Sequence, residues 1–362
     1  MIGEVVRSLN ERTELLGLRS VRPGLVVGVD ADVAGKITML LLDETGRVGA
    51  VVKVARSTSH DHALCAEYDA LMSIHSQPLP HVGAAIPRAV LLDRIESRLV
   101  LVTTAVPGAP LSVRYYRPGH AQSEARVRAD FAAVGDWLGA FHSDAPGQLV
   151  RCDEAWQTYG VPLFERYRRI VGWSDWEERF LARMQRWVHD LADVTIPTTS
   201  VHGDYCIGNV LLEGNRVTGV VDWELGRASG LAFTDVFKFA ASYGSFLDRA
   251  IPQHRGRLAG HPGWGDVKSR WGDRSAWTNL IGFVYAFFGS GWFPEVVRNY
   301  LATNYRRLAC SPEIQPLFLA VFVAEQVLTL DNPTYRCGYR ELLHVLSELD
   351  DEHAGPRLAV VS

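Results

Sequence analysis

Between Leu25 and Ala55 the apolar residues fall into short, partly alternating blocks. Leu25–Val29, Ile37–Leu42 and Val48–Val54 each have the length and β-branched content of a strand. Asp30-Ala31-Asp32 and Asp43-Glu44-Thr45-Gly46 interrupt them as turns. The period then changes. Over Asp61–Ser73, Leu64, Tyr68, Leu71 and Met72 recur at helical spacing. Val90–Leu92 and Leu99–Thr103 return to the strand pattern, making five strands in all. Ahead of them, MIGEVVRSLNERTELLGL reads as an amphipathic helix. After them, Thr104-Ala105-Val106-Pro107-Gly108-Ala109-Pro110-Leu111 carries two prolines and a glycine, the mark of a connection. From about Arg126 the pattern is helical, with Phe131, Val134, Leu138 and Phe141 on one stripe. Residues 151–196, rich in Trp, Tyr and Arg, read as two helices, either a structural aromatic face or part of an acceptor surface. Trp277 to Leu349 is helical in pattern, including Pro316 to Leu330. The pattern predicts an α+β chain: a small antiparallel sheet with a helix over 1–106, then a mainly helical domain over 107–362.

One stretch breaks the helical half. Ser200 to Gly226 reads SVHGDYCIGNVLLEGNRVTGVVDWELG. Val210–Leu212 and Val217–Val221 are two short strands about the turn Glu213-Gly214-Asn215-Arg216. Such a hairpin holds Asp204, Asn209 and Asp222 at one end of a small sheet. Oxygen-bearing side chains there suit a hard divalent cation and a proton acceptor. Phosphoryl transfer from a nucleotide needs such a set: one carboxylate for the acceptor hydroxyl, and an amide with a second carboxylate for Mg²⁺. Asp, Asn and Gly are common turn residues, so a plain hairpin with polar ends accounts for any one of them. It does not account for His202, Asp204, Asn209 and Asp222 together in that order.

Composition narrows the choice only slightly. At 362 residues, 47% apolar and 22% charged, the chain is ordinary for a globular protein of two or more domains. A net charge of -4 implies no general attraction to nucleic acid or anionic membrane. The N-terminus lacks a signal-peptide apolar region and no apolar run is long enough to span a bilayer, so a cytoplasmic setting is expected. Five cysteines form no metal-ligand spacing, and their odd number fits reduced thiols. Cys206 lies inside the central stretch, and reads as a bystander thiol. Only four of the 37 basic residues are lysine, at 36, 53, 238 and 268. Lys53 sits inside an apolar strand, where its ammonium needs anions if buried, or solvent if the strand is an edge. Glu67 follows fourteen residues later on the next helix, on its apolar stripe; Asp69 falls on another face. Lys238 reads as a solvated helix residue, and His142 as a packed or capping histidine.

The His202-Gly203-Asp204 and Asp222-Trp223-Glu224 spellings, with Asn209 five residues after Asp204, resemble the aminoglycoside phosphotransferase and choline kinase family. Ala66-Glu67-Tyr68-Asp69-Ala70-Leu71 and the run ending Phe141-His142 are similar to family helices. The resemblance implies a two-lobe protein-kinase-like fold, with an N-lobe to about residue 106. It implies transfer of the ATP γ-phosphoryl group to a hydroxyl, GTP being an alternative donor. It implies that Asp204 acts as base, that Asn209 and Asp222 hold Mg²⁺, and that Lys53 oriented by Glu67 grips the phosphates. It also implies that His202 braces the catalytic loop, that backbone groups of Thr104 and Val106 meet the adenine edge, and that Asp235 supports the loop from behind; read from the residues alone, Asp235 is equally a helix-start charge. Gly28-Val-Asp-Ala-Asp-Val-Ala-Gly35 stands where a phosphate loop would. It is not G-x-G-x-x-G, and a plain hairpin turn fits it as well. As acceptor the resemblance implies a small hydroxylated metabolite or an aminoglycoside-type antibiotic, with a Ser/Thr hydroxyl on a peptide as a second reading and a non-catalytic binding module as a third. A polycationic acceptor would need gathered acids; Asp175, Glu177, Glu178, Glu348, Asp350, Asp351 and Glu352 are the candidates. Oligomeric state is not legible.

Overall fold

Period-2 burial organises the N-terminal sheet. In the computed structural model, which describes residues 2–16, 21–28, 35–271, 279–329 and 333–352, five antiparallel strands run β1 (Arg22–Gly28), β2 (Lys36–Leu42), β3 (Val48–Ala55), β4 (Ala89–Ile95) and β5 (Arg98–Thr104). Their spatial order is β1-β2-β3-β5-β4. Met39, Leu41, Val52, Val54, Val100 and Val102 point to one face and pack on Val5 and Leu9 of helix Ile2–Asn10. Ala55, Leu99 and Leu101 point to the other face and pack on Leu64 of helix Asp61–Ile74. Both faces are thus covered, which explains why β3 and β5 read as nearly continuous apolar runs. The expected helix stripe needs one correction. Leu64, Glu67, Leu71 and Ile74 face inward, whereas Met72 is half exposed. The span 29–34, which contains most of the Gly28–Gly35 loop, lies outside the described residues.

The chain divides into two compact units. The first joins this sheet (Met1–Ala109) with His202–Asp204 and Asn209–Ala228. The second comprises Pro110–Val201, Tyr205–Gly208 and Ser229–Ser362. Within the first unit, Val210–Glu213 and Arg216–Val220 form the hairpin expected of the central stretch. Gly214 supplies its turn with φ 57°, a conformation that glycine adopts without strain.

The second unit is helical. Helix Glu124–Asp144 buries Val127, Phe131, Val134, Leu138 and Phe141, the predicted stripe, against helix Trp292–Arg307. Helix Phe233–Ser245 lies against helix Asn279–Phe288. Gly244 and Gly282 make that crossing close: a Cβ on Gly282 would stand 2.3 Å from the Gly244 carbonyl oxygen. Several short strands escaped the sequence reading. Pro146–Arg151 pairs antiparallel with Thr195–Val201, where Pro197 breaks the usual strand signal. The acidic run at 175–178 starts helix Asp175–Asp190. There Glu177 accepts from Ser174 N (2.7 Å), Tyr167 Oη (2.8 Å) and Arg340 Nε (2.9 Å), so its charge is engaged by helix capping and packing. Lys238 is half-buried and donates to Gln326 Oε1 at 2.7 Å, where a solvated residue was expected. Among the described residues no single helix is long and apolar enough to cross a membrane.

His142 ends the long helix, and burial pushes its pKa down to about 4. Burial likewise lowers His261 to about 4, against a hydrogen bond to Ala121 O that raises it. Both pKa values lie below the unfolded value near 6.5, so the unfolded chain binds more protons across that window. Stability is therefore full above pH ~6.5 and is lost as pH falls toward 4, by up to about 3 kcal/mol per histidine. Urea unfolding at pH 7 and pH 4.5 checks this. His142→Gln is expected to remove about half of the acid loss, and an unchanged loss contradicts the assignment.

Candidate active site

Strand register decides which side chains meet. Val52 and Val54 face helix Ile2–Asn10, so Lys53 faces the opposite side, toward helix Asp61–Ile74. Thr38 on β2 and Leu101 on β5 stand directly across from Lys53. Lys36 precedes Thr38 by two residues and therefore shares its face. Because β3 lies between β2 and β5, Lys53 is not on an edge strand. Its Nζ donates to Glu67 Oε1 at 2.5 Å and Oε2 at 2.6 Å. Lys53 is 7% exposed and Glu67 2%, a depth at which either charge alone would be costly. Asp69 is exposed, as its helix face predicts.

Asp222 follows the hairpin. Val221 N donates to Asn209 O at 3.0 Å, which brings Asn209 beside Asp222. Trp223 is fully buried and its indole N–H donates to Val220 O at 2.9 Å. Asp222 itself adopts φ 70°, in the left-handed region. For a residue with a Cβ this costs of order 1 kcal/mol and survives only where the surroundings impose it. Its Oδ1 accepts from Lys53 Nζ at 2.8 Å and from Lys36 Nζ at 2.6 Å. Lys36 Nζ also donates to Glu224 Oε2 at 2.7 Å. The result is a chain of alternating charge: Glu67, Lys53, Asp222, Lys36, Glu224. Burial acts to raise the Asp222 pKa, but the ammonium groups of Lys53 and Lys36 outweigh it and hold the carboxyl well below its usual range. Burial and the neighbouring Asp222 charge push Glu224 up. Burial opposes the charge of Lys36, but Asp222 and Glu224 overcome that and raise its pKa.

His202 has no exposed surface. Its Nε2 bonds Val221 O at 3.0 Å, its Nδ1 accepts from Asp204 N at 3.2 Å, and its ring packs edge-on to Trp223. These bonds require the Nε2–H tautomer and make His202 a brace between the two ends of the central stretch. Gly203 has φ 81°, and a Cβ there would come within 2.4 Å of Leu225 O, so glycine is required between His202 and Asp204. Asn209 Nδ2 donates to Asp204 Oδ2 at 2.8 Å and to Asp204 O at 2.9 Å. That fixes the Asp204 carboxylate and leaves Asn209 Oδ1 as an acceptor. Asn209 Oδ1 with the Asp222 and Glu224 carboxylates is an oxygen set suited to Mg²⁺, which is commonly held by one or two carboxylates plus substrate phosphates. Among the described residues no three His, Cys, Asp or Glu side chains gather as a closed metal site.

The remaining expected residues are placed as follows. Gly28 ends β1 opposite Ile37. Gly35 has φ 55° and carries a carbonyl bonded by Arg56 N at 2.7 Å; a Cβ there would overlap the His60 ring. Thr104 N donates to Arg88 O at 2.9 Å, and its hydroxyl accepts from Arg88 N at 2.8 Å. The Val106 side chain packs over Gly219. In the second unit, Asp235 is fully buried in the first turn of helix Phe233–Ser245; burial raises the Tyr205 and Tyr300 phenols, and the Asp235 charge adds to the rise. Cys206 is half-buried beside Tyr205, whose ring stacks on Trp137. The sequence reading missed Lys36 and Glu224 as site residues. The signal was present: one of four lysines follows Gly35 directly, and Glu224 is the third letter of the Asp222 motif.

A double-mutant cycle tests the buried pair. Glu67→Leu alone should cost about 3 kcal/mol, because Lys53 loses its buried partner. Lys53→Met with Glu67→Leu should recover to within about 1 kcal/mol of wild type. Additive losses in urea unfolding would show that the two side chains do not act as a pair.

The phosphotransferase enzyme family profile (APH) matches residues 37–268, more than half of the chain. No curated protein matches it. Two solved structures share its fold over nearly their whole lengths. A thermostable mutant of aminoglycoside phosphotransferase APH(4)-Ia, in ternary complex with ADP and hygromycin B, is 15% identical, with TM-score 0.52 and coverage of 95% of this chain and 98% of that one. A candidate fructosamine-3-kinase from Thermobifida fusca YX-ER1 is 16% identical, with TM-score 0.55 and coverage of 96% and 99%. At such identities the likeness is one of fold: the α+β, protein-kinase-like fold expected from the central stretch. By its family match the chain belongs to the APH phosphotransferase enzyme family.

Proposed function

We propose that this chain transfers the γ-phosphoryl group of ATP to a hydroxyl of a small molecule. The observation that carries the reading is the Asp222 carboxylate. It is held at φ 70° on the second hairpin strand's exit, bonded to the lysine that Glu67 orients, with the Asp204–Asn209 pair at the other strand's start. Asp204 is the base: it accepts the acceptor hydroxyl's proton at the carboxylate that Asn209 orients. Lys53 contacts the phosphates, and its position is set by Glu67 and not by solvent. Gly28 and Gly35 would approach the phosphates through their backbone. The carbonyl of Thr104 and the N–H of Val106 meet the base, a pair of contacts that serves ATP and leaves GTP as a possible donor. Asn209 Oδ1 and Asp222 would hold Mg²⁺. When bound, that cation neutralises phosphate charge as the transferring group separates from ADP. Asp235, buried at the start of helix Phe233–Ser245, is the residue to which the family likeness gives a supporting role for the catalytic loop. Most of the barrier reduction comes from positioning and charge neutralisation, since phosphoryl transfer asks for little covalent chemistry from the protein. A small hydroxylated acceptor is the class suggested by the relative bound to ADP and hygromycin B.

Two substitutions separate the roles. Asp204→Asn should lower kcat about 10²- to 10⁴-fold with the KM for ATP nearly unchanged. Asp222→Asn should instead abolish the stabilisation by Mg-ATP, about 2.7 kcal/mol at a hundred times Kd, read as a thermal shift of a few degrees. Near-normal turnover of Asp204→Asn on an authentic acceptor would sink the reading.

A further inference from the structure

The two lysines on Asp222 differ in how firmly they are held. Lys53 is anchored by both oxygens of the buried Glu67 at 2.5 and 2.6 Å. Lys36 is held by less buried groups: its ammonium donates to Asp222 at 2.6 Å and to Glu224 at 2.7 Å. Its backbone is fixed, following Gly35, whose carbonyl accepts from Arg56 N, and opposing Ala55 in the sheet. The four-carbon stem is therefore the part that can move. Both carboxylates keep some exposure, 29% for the Asp222 side chain and 31% for Glu224, while Lys36 keeps 12%. Two carboxylate oxygens that converge on one nitrogen at these distances are spaced to hold a cation between them. Lys36 Nζ marks where that cation stands.

We propose that Lys36 is an internal counter-cation that occupies the Asp222–Glu224 carboxylate pair and yields it to a divalent metal only when nucleotide phosphates offer the ammonium another anion. The inference rests on the phosphotransfer reading of this site. A bare divalent ion must displace Lys36 while Lys53 stays 2.8 Å from the same Asp222 oxygen, so it enters against two nearby positive charges. A polyphosphate reverses that balance, because it brings negative charge that both lysines and the metal share. Metal and nucleotide binding thus become positively coupled, and the coupling is reciprocal. Lys36 is a positioning residue for the metal and, with nucleotide bound, a second phosphate-contacting lysine beside Lys53.

Mn²⁺ titration followed by electron paramagnetic resonance, with and without ADP and corrected for Mn²⁺–ADP association in buffer, tests this on the full-length protein. Wild type should bind Mn²⁺ weakly alone and at least tenfold tighter with ADP. Lys36→Met should bind bare Mn²⁺ at least tenfold tighter than wild type, with a smaller gain from ADP. Lys36→Arg, which keeps the charge, should restore weak bare binding. Adding Asp222→Asn to Lys36→Met should remove the gain, which locates it. A folded Lys36→Met protein, verified by circular dichroism melting, whose bare Mn²⁺ affinity stays within twofold of wild type overturns the inference. If ADP fails to bind wild type at all, the phosphotransfer reading fails instead, while the bare-metal comparison still decides whether Lys36 excludes the cation.

Discussion

A single carboxylate oxygen, Oδ1 of Asp222, accepts from two ammonium groups, and the site is built around keeping it there. Like charges brought this close in a partly buried setting repel unless opposite charges separate them. The chain of Glu67, Lys53, Asp222, Lys36 and Glu224 does this by strict alternation, with distances of 2.5 to 2.8 Å between neighbours. Three carboxylates against two lysines leave one negative charge over. Such a cluster is poor as a device for stability, because desolvation offsets most of the attraction. Under the proposed function it would serve binding, because a metal–polyphosphate complex would replace internal partners one for one.

The fold delivers these groups by three independent local rules. Pleating puts Lys53 and Lys36 on the side of the sheet that faces helix Asp61–Ile74, since Thr38 stands across from Lys53. Helical spacing puts Glu67 on the inward stripe with Leu64 and Leu71. A tight hairpin with buried Trp223 beyond it forces Asp222 into the left-handed region, and fully buried His202 ties that turn to Asp204 through Val221. No one of these elements contains the site. Each contributes a side chain whose direction is settled before the others arrive, which is how a site of this precision can be assembled on ordinary sheet and helix geometry.

Much of this was legible in the sequence, for reasons that can be stated residue by residue. The five strands, the Asp61–Ile74 helix and the central hairpin follow from hydrophobic period and Gly-Asn turn chemistry. Helix phase alone separates Glu67 from Asp69, and only Glu67 is buried. Met72 was misplaced because one apolar residue at the stripe's margin can turn outward at little cost. Pro197 hides the strand at Thr195–Val201, and nothing local marks Lys238 as bonded because its partner, Gln326, is far away in sequence. Lys36 and Glu224 were missed for a related reason. Their meaning lies in a contact across 188 residues, which local pattern does not encode.

The most direct test of the central claim is a crystal of the protein with Mn²⁺ and ADP, measured at the manganese absorption edge. The account requires an anomalous peak bound by the Asp222 and Glu224 carboxylates and Asn209 Oδ1, with an ADP phosphate against Lys53 and the Lys36 ammonium moved off Asp222. ADP bound away from this cluster, or bound here with Lys36 still bridging Asp222 and Glu224 and the metal elsewhere, would contradict it.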